Sequence, residues 1–214
     1  MLDLSFTWDS LVKGDKMMAA IQNKIGTDLI EDLPIRFTAV AADIAAEKEH
    51  WFQSGPIDQA IRASVSLPLF FTPHTVDGVQ LIDGGILNPT PIEPTLRDDT
   101  DLTIAVDLGG PMMKELIPEP EKAKSPWQQK MDDFLESMKF SESKPKDQWD
   151  MFYIADQSFN TMQNAIARGR MADNPPDHLI AVPRNKCGTL EFDRSAEMIE
   201  HGYRLAAEQL SGKL

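Results

Sequence analysis

Short apolar runs that each end on an aspartate constrain the fold of this chain more than any other feature. The runs cover residues 35–43, 79–82 and 102–106, and they close on Asp43, Asp83 and Asp107. Each run is rich in β-branched and apolar residues and has the length of a buried strand. Paired glycines follow closely after two of the three aspartates. A further short strand is predicted at residues 178–183.

Stretches with helical spacing of apolar residues separate these strands, which predicts an α/β fold. The helical stretches are residues 11–26, 57–66, 151–171 and 194–210. The last of them is predicted to be capped by Asp193 or Ser195 and to turn four apolar side chains inward, namely Met198, Ile199, Leu205 and Leu210.

The recurring aspartates admit two interpretations. In open α/β sheets, ligands bind beyond the carboxyl ends of the strands, so the three acids would line one rim of the sheet. Alternatively, Asp and Gly mark the turns at which strands end, without any catalytic role.

Residues 111–150 differ in composition from the rest, being rich in Pro, Lys, Glu and Met, which is typical of an insertion or a lid. Within this segment, an apolar stripe from Trp127 to Phe140 repeats at helical intervals. Such a stripe usually packs on its own domain, but Met and Trp are also adaptable enough to contact lipid, so both readings stay open.

Composition excludes several classes of protein. The formal net charge is -13, which repels nucleic acid and disfavours stable docking on anionic lipid, although transient contact with a membrane surface stays open. The sequence contains no apolar run long enough to be a transmembrane segment, and no export signal is visible. Cys187 is the single cysteine, so we expect no internal disulfide and a cytoplasmic protein. Scattered histidines and the absence of phosphate-loop spacings predict no metal and no cofactor.

The usual sequence sign of a catalytic serine, G-x-S-x-G, does not occur in this chain. Ser64 lies within or at the end of a predicted helix, where a hydroxyl normally bonds to the preceding turn, so we interpret it as structural. A triad hydrolase that uses His178 or His201 is disfavoured, because it needs the same missing serine turn.

Three segments resemble the patatin-like phospholipase family. They are residues 37–43 (FTAVAAD), 55–73 (GPIDQAIRASVSLPLFFTP) and 83–92 (DGGILNPTPI). The closing helix is also similar to that of bacterial members, so the resemblance extends from about Leu11 to Leu210. It implies a three-layer α/β/α fold and hydrolysis of lipid acyl esters by a serine and one aspartate, without histidine.

By position, Asp83 matches the aspartate of that catalytic dyad, with Gly84 and Gly85 forming the turn that supports it. The glycine-rich oxyanion loop and the nucleophile serine of the family lie upstream of the resembling region and have no counterpart here. We therefore expect residues 1–214 to be the C-terminal portion of one domain, with a central sheet that lacks its N-terminal strands. Such a chain would be inactive alone and would need the missing N-terminal segment as its partner. The alternative is a non-catalytic module that binds lipid or protein.

Overall fold

The computed structural model describes residues 4–7, 10–12, 15–26, 28–68, 70–113, 151–188 and 191–211. The chain divides into two compact units. The first consists of residues 1–103 and 159–176, and the second of residues 104–158 and 177–214. Most of the expected insertion, together with the stripe from Trp127 to Phe140, lies outside the described residues.

The first unit is built on a four-stranded antiparallel sheet. Its strands are β3 (Ala39–Asp43), β4 (Lys48–Phe52), β5 (His74–Val76) and β6 (Val79–Asp83), in the order β4-β3-β6-β5. A separate antiparallel pair is formed by β1 (Leu4–Thr7) and β2 (Ser10–Val12). The fold therefore combines helices with sheets, as predicted for an α/β protein, although the strands of this sheet are not parallel.

The antiparallel pairing of β3 with β6 excludes the interpretation in which the aspartates line one shared rim. Asp83 lies opposite Ala41, and Asp43 lies opposite Leu81, so the two strands end in opposite directions. Asp43 instead holds the tight turn after β3, where its Oδ1 accepts hydrogen bonds from the Ala45 and Ala46 N–H groups at 3.0 Å. For Asp43, the turn interpretation is the correct one.

Helix α2 (Ile57–Ser64) covers one face of this sheet. The buried cluster on that face joins Ala60 and Ala63 of the helix to Ala39, Ala41 and Leu81 of the strands. Alanines on β3 let the helix approach closely, because small side chains leave room for its backbone. Residues paired across antiparallel strands project from the same face. Asp83, the partner of Ala41, therefore projects from the face that α2 covers.

The opposite face is contacted by the C-terminal half of helix α3 (Met151–Asp173). Glu49 of β4 pairs with Ala42, which places its side chain on the face away from α2. Arg170 of α3 binds the Glu49 carboxylate. The first unit also contains α1 (Asp15–Ile25), which ends at Gly26, a residue with φ +77°. This confirms the predicted helix, although it begins four residues later.

The second unit contains a parallel pair of strands and one long helix. Strands β7 (Ile104–Gly110) and β8 (His178–Pro183) pair in parallel, and helix α4 (Ser195–Leu210) contacts β8. Asp107 holds its own turn, because its Oδ1 accepts the Gly109 N–H at 2.9 Å. No side-chain hydrogen bond caps α4, so the predicted caps at Asp193 and Ser195 are wrong.

The predicted inward face of α4 is only partly correct. Met198, Leu205 and Leu210 are half-buried, whereas the side chain of Ile199 is 74% exposed. A single apolar residue on a helix surface is ordinary in folded proteins. Among the described helices, none combines the length and the hydropathy that a membrane span requires.

Candidate functional site

Asp83 lies at the C-terminal end of β6, beside a cleft in the first unit. The cleft has a volume of about 320 Å³ and is lined mainly by apolar side chains from the chain before β3, the end of α2 and the loop after Asp83. Phe37, Val40, Ile61, Val65 and Pro91 form much of this lining. A carboxylate beside an apolar cleft is a typical feature of a site that binds a hydrophobic ligand.

The two carboxylate oxygens of Asp83 differ in their surroundings. Oδ1 accepts a hydrogen bond from the Gly85 N–H at 2.7 Å. In the part of the chain that the structure describes, no donor is bonded to Oδ2. The Asp83 main chain is also held, because its N–H donates to the Ser66 carbonyl at 3.0 Å. One oxygen thus fixes the orientation of the carboxyl, and the other is free to interact with a group in the cleft.

Burial raises the pKa of Asp83 above its ordinary value, and the hydrogen bond from the Gly85 N–H partly opposes this effect. A raised pKa means that the carboxylate is a stronger base than a solvated aspartate. This is the direction that favours proton transfer near neutral pH. Groups perturbed in this way occur at functional sites more often than elsewhere, but structural carboxyls also show such shifts.

Gly84 is required by the close approach of two backbone segments. A Cβ atom at this position would lie 2.1 Å from the Val40 carbonyl oxygen and 2.5 Å from its carbonyl carbon. Because both neighbours are backbone atoms of the central strand β3, they have little freedom to move. The glycine therefore lets the turn after Asp83 lie directly against β3.

Gly85 is constrained differently. A Cβ atom there would meet the Gln163 Nε2 atom of α3 at 2.7 Å and the Asp83 Oδ1 atom at 3.1 Å. The first of these neighbours is the end of a flexible side chain, which can move away. The two glycines of the predicted supporting turn thus differ in what they do: Gly84 permits backbone contact, and Gly85 donates its N–H to the carboxylate.

A polar cluster lies immediately after this turn and joins it to β4 and α3. The cluster consists of Glu49, Asn88, Glu93 and Arg170. Asn88 is 2% exposed, and its Nδ2 donates to Glu49 Oε2 at 3.1 Å and to Glu93 Oε2 at 3.0 Å. Arg170 donates to the other oxygen of each carboxylate and to the Leu87 carbonyl at 3.4 Å. We define these four residues as the Arg170 cluster.

The electrostatics of the Arg170 cluster are those of paired charges. Burial acts to raise the pKa of Glu93, but hydrogen bonds from Asn88 and Arg170 outweigh it and lower that pKa below its ordinary value. The lowered pKa keeps Glu93 ionised at neutral pH, and Arg170 forms ion pairs with both Glu49 and Glu93. No sequence motif marks this cluster, because its members are far apart in the chain. Only Asn88 lies within the resembling segment.

The serines near Asp83 have different surroundings. Ser64, at the end of α2, lines the same cleft as Asp83. Ser66 is fully buried, and its Oγ donates to the Arg62 carbonyl at 2.7 Å while accepting from the Arg62 guanidinium at 2.6 Å. The bond to the preceding turn that we predicted for Ser64 is thus formed by Ser66. Arg62 also donates to Thr72, which ties α2 to the segment before β5.

The histidines considered for a triad both belong to the second unit. His178 begins β8, and His201 lies on α4. Within the described residues, no group of three or more His, Cys, Asp or Glu side chains is arranged to hold a metal ion.

The fold and the site define an α/β protein with a half-buried aspartate on an Asp-Gly-Gly turn. The family model for patatin-like phospholipases matches residues 1–96. An uncharacterised NTE family protein of Mycobacterium tuberculosis is 31% identical over an alignment 260 positions long, which covers 98% of this chain and 72% of that protein. Patatin-like phospholipase domain-containing protein 7 of Rattus norvegicus is 31% identical over 110 residues, covering 50% of this chain and 8% of that protein. The chain belongs to the patatin-like phospholipase family.

Proposed function

We propose that this protein is part of a lipid acyl hydrolase in which Asp83 is the base of a serine–aspartate dyad. Membership of the patatin-like phospholipase family supports the reaction class. The observation that carries the assignment to Asp83 is its half-buried carboxyl, with one oxygen fixed by Gly85 and the other free beside an apolar cleft.

In the proposed reaction, the free Oδ2 atom of Asp83 accepts the proton of a serine hydroxyl as the serine oxygen attacks the ester carbonyl. The resulting tetrahedral intermediate collapses with loss of the alcohol, which takes up that proton. Water then attacks the acyl-enzyme as Asp83 accepts one of its protons, and that proton passes to the serine oxygen as the fatty acid is released. The apolar lining of the cleft suits the acyl chain of such a substrate.

The serine in this proposal comes from polypeptide outside the 214 residues, because no G-x-S-x-G is present. We propose that residues 1–214 form the C-terminal portion of one patatin-like domain and that an N-terminal segment adds strands to its central sheet. Helices already contact both faces of the β4-β3-β6-β5 sheet, which supports a three-layer α/β/α arrangement for the complete domain. The same segment would also contribute the oxyanion loop, in which each hydrogen-bond donor stabilises the transition state by about 3 to 4 kcal/mol.

We also propose where the enzyme acts and how it meets its substrate. We place it in the cytoplasm, where it meets lipid or other hydrophobic esters by transient contact with a membrane surface. Ser64 is not assigned as the nucleophile, because it lies at the end of a helix and not on a strand-to-helix turn. The alternative of a non-catalytic binding module is not favoured by the family relationship.

The test compares this chain with a longer polypeptide whose coding frame is extended upstream through a G-x-S-x-G motif. We expect the 214-residue chain to show neither labelling by a fluorophosphonate probe nor hydrolysis of a chromogenic short-chain ester. The longer protein should do both. In the longer protein, Asp83→Asn should reduce kcat by about 10²- to 10⁴-fold, the usual contribution of a general base.

Asp43→Asn is the matched control, since Asp43 also ends a strand and holds a turn by accepting backbone N–H groups. It should retain most of the activity. Full activity of the Asp83→Asn variant would refute the assignment of the base. Ester hydrolysis by the 214-residue chain would refute the proposal that the serine lies outside it.

A further inference from the structure

We propose that Arg170 is a positioning residue for Asp83, acting through the turn that begins at Gly84; this inference rests on the proposed function. The guanidinium donates to the turn itself, at the Leu87 carbonyl. It reaches this turn from α3, a helix more than sixty residues further along the chain.

The path from Arg170 to the carboxylate is short. The Leu87 and Asn88 N–H groups both donate to the Gly84 carbonyl, at 3.0 and 2.9 Å, which closes the turn. Gly85, the residue after Gly84, donates its N–H to Asp83 Oδ1. By holding the Leu87 carbonyl at one end of the turn, Arg170 fixes the Gly85 N–H that orients the carboxyl.

The Arg170 guanidinium is itself held in place by several charged hydrogen bonds. Arg170 is held by Glu49 on β4 and by Glu93 in the short helix that follows the turn, while buried Asn88 joins the same two carboxylates. A planar guanidinium with five donors can satisfy two carboxylates and a carbonyl at once, which an ammonium group cannot do in the same geometry. The Arg170 cluster therefore connects β4 of the sheet, the turn after Asp83 and helix α3 through hydrogen bonds.

Gln163 of the same helix also lies close to this turn. It is seven residues before Arg170, so the two side chains lie on one side of α3 two helical turns apart. Its Nε2 atom is the nearest neighbour of the position that a Cβ atom of Gly85 would occupy. Residues two helical turns apart on α3 thus lie close to the loop that follows Asp83.

The test measures the pKa of the Asp83 carboxyl directly in the 214-residue chain, so that it does not depend on catalysis. The protein is labelled with ¹³C at aspartate side chains, the Asp83 signal is assigned from Asp83→Asn, and its pKa is obtained by NMR titration. In Arg170→Met, the turn is released and the bond from Gly85 weakens. Because that bond lowers the pKa of Asp83, we expect the titration midpoint to move to higher pH.

Arg170→Lys retains the positive charge between Glu49 and Glu93 but not the planar fork, so its shift should have the same sign and be smaller. Arg194→Met is the matched control, since Arg194 also binds two carboxylates, Glu191 and Glu197, within the second unit. It should leave the midpoint of Asp83 unchanged. Circular dichroism reports whether each variant is folded.

In the longer, active polypeptide, Arg170→Met should lower kcat by about one to two orders of magnitude, as misplacement of a catalytic group does, with KM little changed. The acidic limb of the kcat profile should move to higher pH in parallel with the NMR midpoint. An unchanged Asp83 midpoint in both Arg170 variants, an equal shift in Arg194→Met, or unfolding of both Arg170 variants would overturn the positioning role. Failure of the dyad itself would be seen separately, as full activity of Asp83→Asn.

Discussion

Substitution of Gly84 by alanine is the most direct test of the site geometry. The added methyl group would lie 2.1 Å from the Val40 carbonyl oxygen, whereas Cβ atoms essentially never approach another atom within 3.0 Å. The turn or β3 must therefore move by about 1 Å. Since β3 is the buried central strand, we expect a loss of about 3 kcal/mol in the free energy of unfolding, the upper range for overpacking.

Two further glycines provide controls for this prediction. In Gly85→Ala, the flexible end of Gln163 can move, so we expect a loss of about 1 kcal/mol or less. Gly78, in the turn between β5 and β6, has φ +81° and open space around it, so Gly78→Ala costs about 1 kcal/mol through backbone strain alone. Urea unfolding monitored by far-UV circular dichroism would rank the three variants. A Gly84→Ala midpoint equal to that of Gly78→Ala would refute the reasoning.

Three other substitutions give expected outcomes. Because burial raises the pKa of Asp83, the folded state binds its proton more tightly than the unfolded chain, and stability decreases as pH rises from the ordinary value of 3.8 through the raised pKa. Asp83→Asn should therefore raise the thermal midpoint of unfolding at pH 7 but not at a pH below 3.8. An equal increase at both pH values would contradict this. Arg62→Met should destabilise the protein by about 3 kcal/mol in urea unfolding, because buried Ser66 and the Thr72 carbonyl lose their donor; a loss below about 1 kcal/mol would contradict it. Ile199→Lys, on the exposed side of α4, should change stability by less than about 0.5 kcal/mol, whereas the equivalent change at half-buried Met198 should cost more.

Local patterns predicted the four helices and four of the eight described strands, but β1, β2, β4 and β5 were not predicted, nor was the pairing of the strands. The apolar run ending at Asp43 became a strand that is buried along most of its length, and the segments 57–66 and 178–183 became a helix and a strand. Strand direction was beyond such patterns, because a run of buried residues has the same composition in parallel and antiparallel sheets. Because β4 was not predicted, its four-residue connection to β3, which is too short to join parallel strands, could not be used to assign the strand direction.

The candidate site was predictable in one residue and not in its surroundings. Asp83 stood out because it is followed by two glycines within a segment that resembles a known family. Glu49 and Arg170 gave no comparable signal, since an isolated Glu and Arg usually lie on solvated faces. Only the folded chain brings these residues, 121 positions apart, into one hydrogen-bonded pair.

The parallel pairing of β7 with β8 has a consequence for the order in which the protein folds. Residues 111–177 connect these strands, whereas residues 44–47 connect β3 to β4. Bringing the ends of a 67-residue connection together costs about 2.5 kcal/mol more in chain entropy than closing a four-residue one. We therefore expect the β3–β4 hairpin to form early and the β7–β8 ladder to wait for late, long-range encounters, so that a nascent chain released before residue 178 holds β7 without its neighbour.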